Sequence, residues 1–393
     1  MIDAGELIER TREQGFGFWT GVPCSYLTPL INCAIAHPAL RWVTAANEGD
    51  AVATAAGAML AGQRGVAIMQ NSGLGNAVNP LASLTYTLRI PVLLIVTLRG
   101  DPTLRDEPQH ELMGAITERM LGELRVPCER FPREPAALGA ALERACKHMA
   151  ETSRPYAFVL HKGDVAWQGR PHVANAPERL ATPVGDRRRG ASSTAPTRAE
   201  ALRRIVDATP EDASAVIATT GYTGRELAAI ADRANQLYVV GSMGCASSLA
   251  LGVALAQPRL RVVAVDGDGA ALMRMGNFAT VGAYGGDNLV HIVLDNGVHE
   301  STGGQPTVSR AVSFAGIAAA CGYGLALEAD SLDALDELFA ARAVRGPRFA
   351  ALRIRPGVDP EPPRPPLAPE QVRARFAEHL RKRAGAAADG ATP

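Results

Sequence analysis

Residues 265–273 read VDGDGAALM, and the apolar run 262–265 leads into Asp266, Gly267, Asp268 and Gly269. A β-branched run ending on glycines reads as a buried strand feeding a tight turn. Glycines at such a turn let the backbone approach a phosphate. A carboxylate between two of them would repel that phosphate, unless a divalent cation lies between them. Mg2+ takes oxygen ligands, commonly one or two carboxylates together with phosphate oxygens. The alternative is an ordinary turn aspartate. A second ligand then belongs at the end of a neighbouring strand. VHIVLDNGVHES (290–301) supplies one, with Asp295 and Asn296 directly after the apolar run 290–294.

The same grammar extends over the chain. Candidate strands are 65–69, 92–97, 156–160, 215–218, 237–240, 262–265, 290–294 and 348–354, separated by alanine-rich helical stretches. Continuous apolar strands alternating with helices predict an α/β protein with parallel sheets covered on both faces. TPEDA (209–213) and DSLDALDEL (330–338) offer capping residues ahead of helical periodicity. RGVAIMQNSGLGNAVNPLASL (64–84) and RVVAVDGDGAALMRMGNFATVGA (261–283) share one plan: an Arg-led strand, a small-residue turn, a Gly-Asn pair and a helix. Two similar units joined by a linker is the simplest architecture. Residues 1–165 form the first, 166–196 a linker rich in proline and small polar residues, and 197–357 the second. Residues 358–393 hold a Pro-rich segment, an amphipathic helix over 369–383 and a tail of ten residues without structure.

Composition limits the partners. The chain has 393 residues, 47% hydrophobic and 20% charged, with formal net charge zero. That balance predicts no nucleic-acid or membrane partner. The six cysteines contain no CxxC and read as buried thiols in a reducing compartment, so the expected location is cytoplasmic. The run IPVLLIVTL (90–98) is too short to span a bilayer. GDGAAL (267–272), GLGNAV (73–78) and GSMGCA (241–246) all lack the third glycine of GxGxxG. An NAD-dependent oxidoreductase is therefore disfavoured.

GDG followed one helix and one strand later by an asparagine resembles the motif of thiamine diphosphate (ThDP) enzymes. The resemblance implies two ThDP-binding-fold domains, each a parallel sheet flanked by helices, with ThDP and Mg2+ as cofactors. It implies cation ligands at Asp268, Asn296 and the Val298 carbonyl, within a cofactor turn of Gly267, Asp268, Gly269 and Ala270. GSMGCASSLALGVALA (241–256) resembles the family's turn before a buried helix. There Gly241 would accept a hydrogen bond from the cofactor's 4′-amino group. Met243, beside Ser242, would prop the bent cofactor, though a lone Met is also ordinary core. Thr220 and Gly221 in TTGYTG (219–224) fit the diphosphate.

Such enzymes need an acid at the pyrimidine N1′. Glu48 opens an alanine-rich helix in TAANEGDAVATAAGAMLA (44–61). It is either that acid or a helix-terminal carboxylate favoured by the dipole. The stretches 21–32, 45–58, 69–100, 106–114 and 295–305 resemble the phosphonopyruvate decarboxylases, with sulfopyruvate decarboxylases as near relatives. This implies a small 2-oxo acid substrate and a homo-oligomer with active sites at the subunit interface. It also implies a role in phosphonate biosynthesis. Ser25 in GVPCS would contact substrate, and Asn71 and Ser72 in QNSGLGN (70–76) would cradle an anion. Arg99 in TLRGD (97–101) would bind the phosphonate, or form a surface salt bridge instead. His110 would donate a proton. The position six residues after Asn296, where many of these decarboxylases carry a glutamate, is Thr302, so Glu300 or His299 would take that acid role. The rival readings are a sulfopyruvate or other 2-oxo acid decarboxylase and a non-catalytic ThDP-fold binding protein.

Overall fold

The structure, a computed structural model, describes residues 1–169, 182–188, 195–358 and 360–389. The chain divides into two compact units, residues 1–59 with 63–176, and 177–393 with 60–62. The linker expected at 166–196 lies largely outside the described residues.

All eight expected strands form; Tyr156–Leu160 has the expected bounds, and the others differ by one or two residues at an end. In the first unit six parallel strands lie in the order Arg41–Thr44, Phe18–Gly21, Gly65–Gln70, Leu93–Thr97, Tyr156–Leu160, Cys128–Arg130. The second unit has Gln236–Tyr238, Ser214–Ala218, Arg261–Gly267, Leu289–Asp295, Arg348–Arg353, Leu325–Ala329 and Val184–Arg187, again all parallel. Numbered within each unit by chain order, and setting aside the edge strand Val184–Arg187, both sheets run 2-1-3-4-6-5. The repeat visible in the sequence is thus a repeat of topology, and its two copies are the third strand of each sheet with the helix that follows. In both sheets the second strand lies on one side of the first and the third on the other. This switch opens a crevice at the carboxyl ends of strands one and three. The carboxyl end of Phe18–Gly21 leads into GVPCS, and that of Gly65–Gln70 into NSGLGN. In the second sheet the ends lead into TTG and GDG.

The central strands are buried on both faces. Val262, Val263, Ala264 and Val265 are fully buried, as are Val66, Ala67, Ile68 and Met69. This explains why they read as unbroken apolar runs. The helix Glu48–Leu60 is alanine-rich because it too is buried almost all round, with Ala51, Ala53, Ala55, Ala56 and Ala58 fully covered.

Three local readings are corrected. Val184–Arg187, inside the expected linker, pairs with Leu325–Ala329 as an edge strand. TPEDA follows the helix Arg198–Ala208 and leads into a strand; the capped start is Thr197, whose hydroxyl and the Glu200 carboxylate form a reciprocal capping box. The C-terminal helix is Pro369–Asp389, so it continues into the stretch expected to lack structure. Its Val372, Phe376 and Leu380 are buried, and Arg375 pairs with Asp232. Among the described residues no helix is long and apolar enough to cross a membrane. None of the six cysteines forms a disulfide; Cys24, Cys33 and Cys245 are buried, while Cys128, Cys146 and Cys321 are only half-buried.

Candidate active site

In the second unit, sheet register places the chemistry. Gly267 pairs with Leu294, so Asp268 and the Asp295–Asn296 pair leave the sheet side by side. The Thr219 N–H bonds the Val265 carbonyl at 2.9 Å, which brings Thr220 and Gly221 out beside them. These ends line one cleft, which Asp268 shares with Asn296 and Val298. Gly267, Gly269, Ala270, Met243 and Glu300 also line it. Gly241 reaches it indirectly, donating its N–H to Thr220 Oγ1 at 3.1 Å. Ser242 is buried in a left-handed conformation (φ 41°) and is not among the residues that line the cleft. A Cβ on Gly269 would lie 2.5 Å from His299 Cε1 and 2.9 Å from Met243 Cε, so this residue of GDG must be small.

Asp268 is 3% exposed, and burial pushes its carboxyl up. Thr307 donates to its Oδ2 at 2.5 Å. Among the described residues no cationic side chain pairs with it. Asp295 accepts from Gly297 N–H at 3.0 Å and Ser309 Oγ at 2.8 Å, both on Oδ1, within its own loop. Asn296 lines the cleft with Asp268.

In the first unit, Glu48 is 9% exposed at the start of its helix, and Asn76 donates to its Oε2 at 2.8 Å. Asn71 is fully buried. Its amide donates to the Arg99 carbonyl at 2.8 Å and Thr117 Oγ1 at 3.0 Å, and accepts from Arg99 N–H at 3.3 Å. It ties two strand ends together, which corrects its reading as an anion ligand. Ser72 is exposed and accepts from Gln70 Nε2 at 2.6 Å; Gln70 in turn accepts from Cys24 Sγ at 3.2 Å.

Arg99 is also reassigned. Its guanidinium clasps Asp106 through Nε at 2.7 Å and through a second nitrogen. Hydrogen bonding to Arg99 holds the Asp106 carboxyl far below the usual carboxylate range, and the same pairing raises Arg99. The remaining nitrogen donates to Ser25 Oγ at 3.1 Å, and the ring of Tyr26 lies 4.6 Å from the guanidinium carbon. The planar fork expected to grip a phosphonate is already filled by a carboxylate. Ser25, Arg99 and Lys162 line one surface pocket with Asp106. His110 is buried in the short turn Pro108–His110, and its Nδ1 has no hydrogen-bond partner among the described residues.

Two family descriptions match this sequence: Thiamine pyrophosphate enzyme, N-terminal TPP binding domain, over residues 3–119, and Thiamine pyrophosphate enzyme, C-terminal TPP binding domain, over 225–353. The chain is 48% identical to a phosphonopyruvate decarboxylase of Streptomyces viridochromogenes over 379 residues, which are 96% of this chain and 94% of that one. The chain belongs to the phosphonopyruvate decarboxylase family of thiamine pyrophosphate enzymes. A sulfopyruvate decarboxylase of Methanosarcina acetivorans is more distant, 29% identical over 95% of this chain and 97% of that one. The fold resembles the solved benzoylformate decarboxylase of Polynucleobacter necessarius, with TM-score 0.71 at 12% identity over 92% of this chain and all of that one.

The second unit's residues fit the family's cofactor with a cation. Among the described residues no group of three or more His, Cys, Asp or Glu side chains could hold a metal alone. The donors on offer are one buried carboxylate, one amide oxygen and a main-chain carbonyl. Such a hard, incomplete oxygen set suits Mg2+ completed by phosphate oxygens. Asp106, Asn76, Thr307 and Arg198 join the expected site residues in this phosphonopyruvate decarboxylase relative. Asp106 stood in the recognised stretch 106–114, seven positions after Arg99, and that opposite charge within one loop was the available signal. Thr307 left none.

Proposed function

We propose that the protein decarboxylates 3-phosphonopyruvate, taking up one proton and releasing phosphonoacetaldehyde and CO2, with ThDP and Mg2+ bound. The observation that carries the reading is the buried Asp268 carboxylate, beside Asn296 and without a counter-charge among the described residues, in a chain 48% identical to a named phosphonopyruvate decarboxylase. When bound, ThDP supplies the electron sink for the pair left as CO2 departs. Asp268, Asn296 and the Val298 carbonyl would hold the cation. Thr220 and Gly221 would face the diphosphate. Glu48 would hold a proton at its carboxyl toward the pyrimidine, with Asn76 fixing the other oxygen. Ser25 accepts from Arg99, so its own O–H is left to donate to the substrate. His110 would deliver the proton that replaces the carboxylate.

The reading includes a homo-oligomer whose subunits share each active site. It places the enzyme in the cytoplasm, in phosphonate biosynthesis. The test is steady-state decarboxylation of phosphonopyruvate, sulfopyruvate and pyruvate side by side, with ThDP and Mg2+. A charge-assisted hydrogen bond contributes about 1.5 kcal/mol or more, so kcat/KM for the dianionic phosphonate should exceed that for the sulfonate by at least about tenfold. Preference for sulfopyruvate would overturn the substrate and leave the chemistry. No turnover of any 2-oxo acid would favour a binding protein.

A further inference from the structure

Glu300 follows the Asn296–Val298 loop, where the sequence makes it a candidate proton donor. Its surroundings are those of an acceptor. The Arg198 guanidinium and the Asn296 side-chain nitrogen (3.1 Å) both donate to Oε2, and the Gly357 main-chain N–H donates to Oε1. Arg198 is 5% exposed at the start of the helix Arg198–Ala208, and its other terminal nitrogen donates to Glu226 Oε1 at 3.0 Å. A chain of hydrogen bonds, buried at Glu226 and Arg198 and half-buried beyond, therefore runs through Glu300 to the Asn296 amide.

The end of that chain matters. A side-chain amide has one donor end and one acceptor end. Glu300 takes the nitrogen of Asn296, which leaves Oδ1 on the other side. There it accepts from Val298 N–H at 3.2 Å, and Asn296 and Val298 line the cleft with Asp268. A flipped amide would present N–H groups to a cation. The partners of Glu300 also come from distant stretches. Arg198 opens the helix Arg198–Ala208, and Gly357 follows the strand Arg348–Arg353. The carboxylate fastens the loop to both.

We propose that Glu300, held by Arg198, is a positioning residue that fixes the Asn296 amide with its oxygen toward the cation, and is not a proton donor. This rests on the reading of Asn296 as a cation ligand. Groups that orient metal ligands from behind change metal affinity by about 10–100-fold when altered. A glutamine at 300 is nearly isosteric but mismatched. With its oxygen at the Oε2 position its NH2 would meet the Gly357 N–H, and with the two groups exchanged it would meet both Arg198 and Asn296, a donor against a donor either way.

The test titrates apo-protein with Mn2+ at saturating ThDP, following free Mn2+ by electron paramagnetic resonance. Glu300→Gln should weaken Mn2+ binding by about 10–100-fold. Decarboxylase activity should recover as Mg2+ is raised. Arg198→Met should behave alike, and Arg198→Lys, which keeps the charge but cannot span both carboxylates, should fall between it and wild type. Unchanged Mn2+ affinity in Glu300→Gln would overturn the proposal. So would a large loss of kcat that no Mg2+ concentration restores, because that assigns Glu300 to proton transfer. If Glu300→Gln does not fold, the Arg198→Lys titration decides the point on the same criteria. A wild-type protein that binds ThDP but no Mn2+ would overturn the cation reading, and the positioning role with it.

Discussion

Glu48 occupies the space that a side chain on Gly73 would need. A Cβ at residue 73 would lie 2.1 Å from Glu48 Oε1 and 2.3 Å from its Cδ. Gly73 and Asn76 are three apart on the helix Asn71–Pro80, so they share a face. One lets the acid in and the other holds it.

Gly73→Ala should therefore move the acid without removing it. Alanine suits a helix better than glycine by about 1 kcal/mol, so the local helix is not the casualty. Exchange of the bound cofactor's C2 proton with D2O should slow at least about 100-fold, the usual scale for a misplaced acid or base. ThDP binding should persist. Glu48→Gln should match it. NMR of quenched samples reads the exchange, and a wild-type rate in both variants would remove Glu48 from the role.

The Arg99–Asp106 clasp gives a second test. If Arg99 gripped the phosphonate, Asp106→Asn would free the fork and lower KM. The geometry predicts the reverse. Without Asp106, Arg99 no longer holds Ser25, so KM should rise and kcat/KM fall by about tenfold, the worth of one charge-assisted hydrogen bond. Arg99→Ala should lower kcat/KM for phosphonopyruvate, sulfopyruvate and pyruvate by similar factors. Loss of the phosphonate preference alone would restore Arg99 as its ligand.

The same pair sets an acid limb. Asp106 is depressed by Arg99, so its stabilisation is fully present above the unfolded carboxylate pKa of about 3.9. It declines as pH falls below that value, because the unfolded chain takes up a proton first. The melting-temperature gap between wild type and Asp106→Asn should be constant from about pH 7 to 5 and narrow between about pH 4 and 2. A gap that widens in acid would contradict the pairing.

Central strands were legible because burial on both faces leaves unbroken apolar runs. The missed ones lack that signature. FWTG and RWVT are short, with Arg41–Thr44 at an edge, and LALEA has helical composition. The GDG and Asn296 positions were legible because turn chemistry is local in sequence. What partners a polar side chain was not. The Gly-Asn pairs at 75–76 and 276–277 look alike, yet Asn76 holds Glu48 while Asn277 donates to Ser247. Arg99 and Glu300 have the residue types of a ligand and an acid. Their side chains are engaged otherwise because Asp106 and Arg198 reach them through folding, from 7 and 102 positions away.

Asp268 gives opposite signs with and without cofactor. In the apo-protein it is a buried carboxylate without a counter-charge among the described residues, and an uncompensated buried charge costs stability. Asp268→Ala should therefore melt at or above the wild-type temperature when ThDP and Mg2+ are absent. With ligand at about 100 times its dissociation constant, wild type gains about 2.7 kcal/mol by mass action. The variant should gain almost nothing, because the cation that bridges protein to diphosphate has lost its carboxylate. Differential scanning calorimetry in the two conditions reads both signs. A ligand-induced shift in Asp268→Ala equal to that of wild type would place the cation elsewhere. A variant that melts well below wild type without ligand would make Asp268 a structural carboxylate, with Thr307 as its reason for being there.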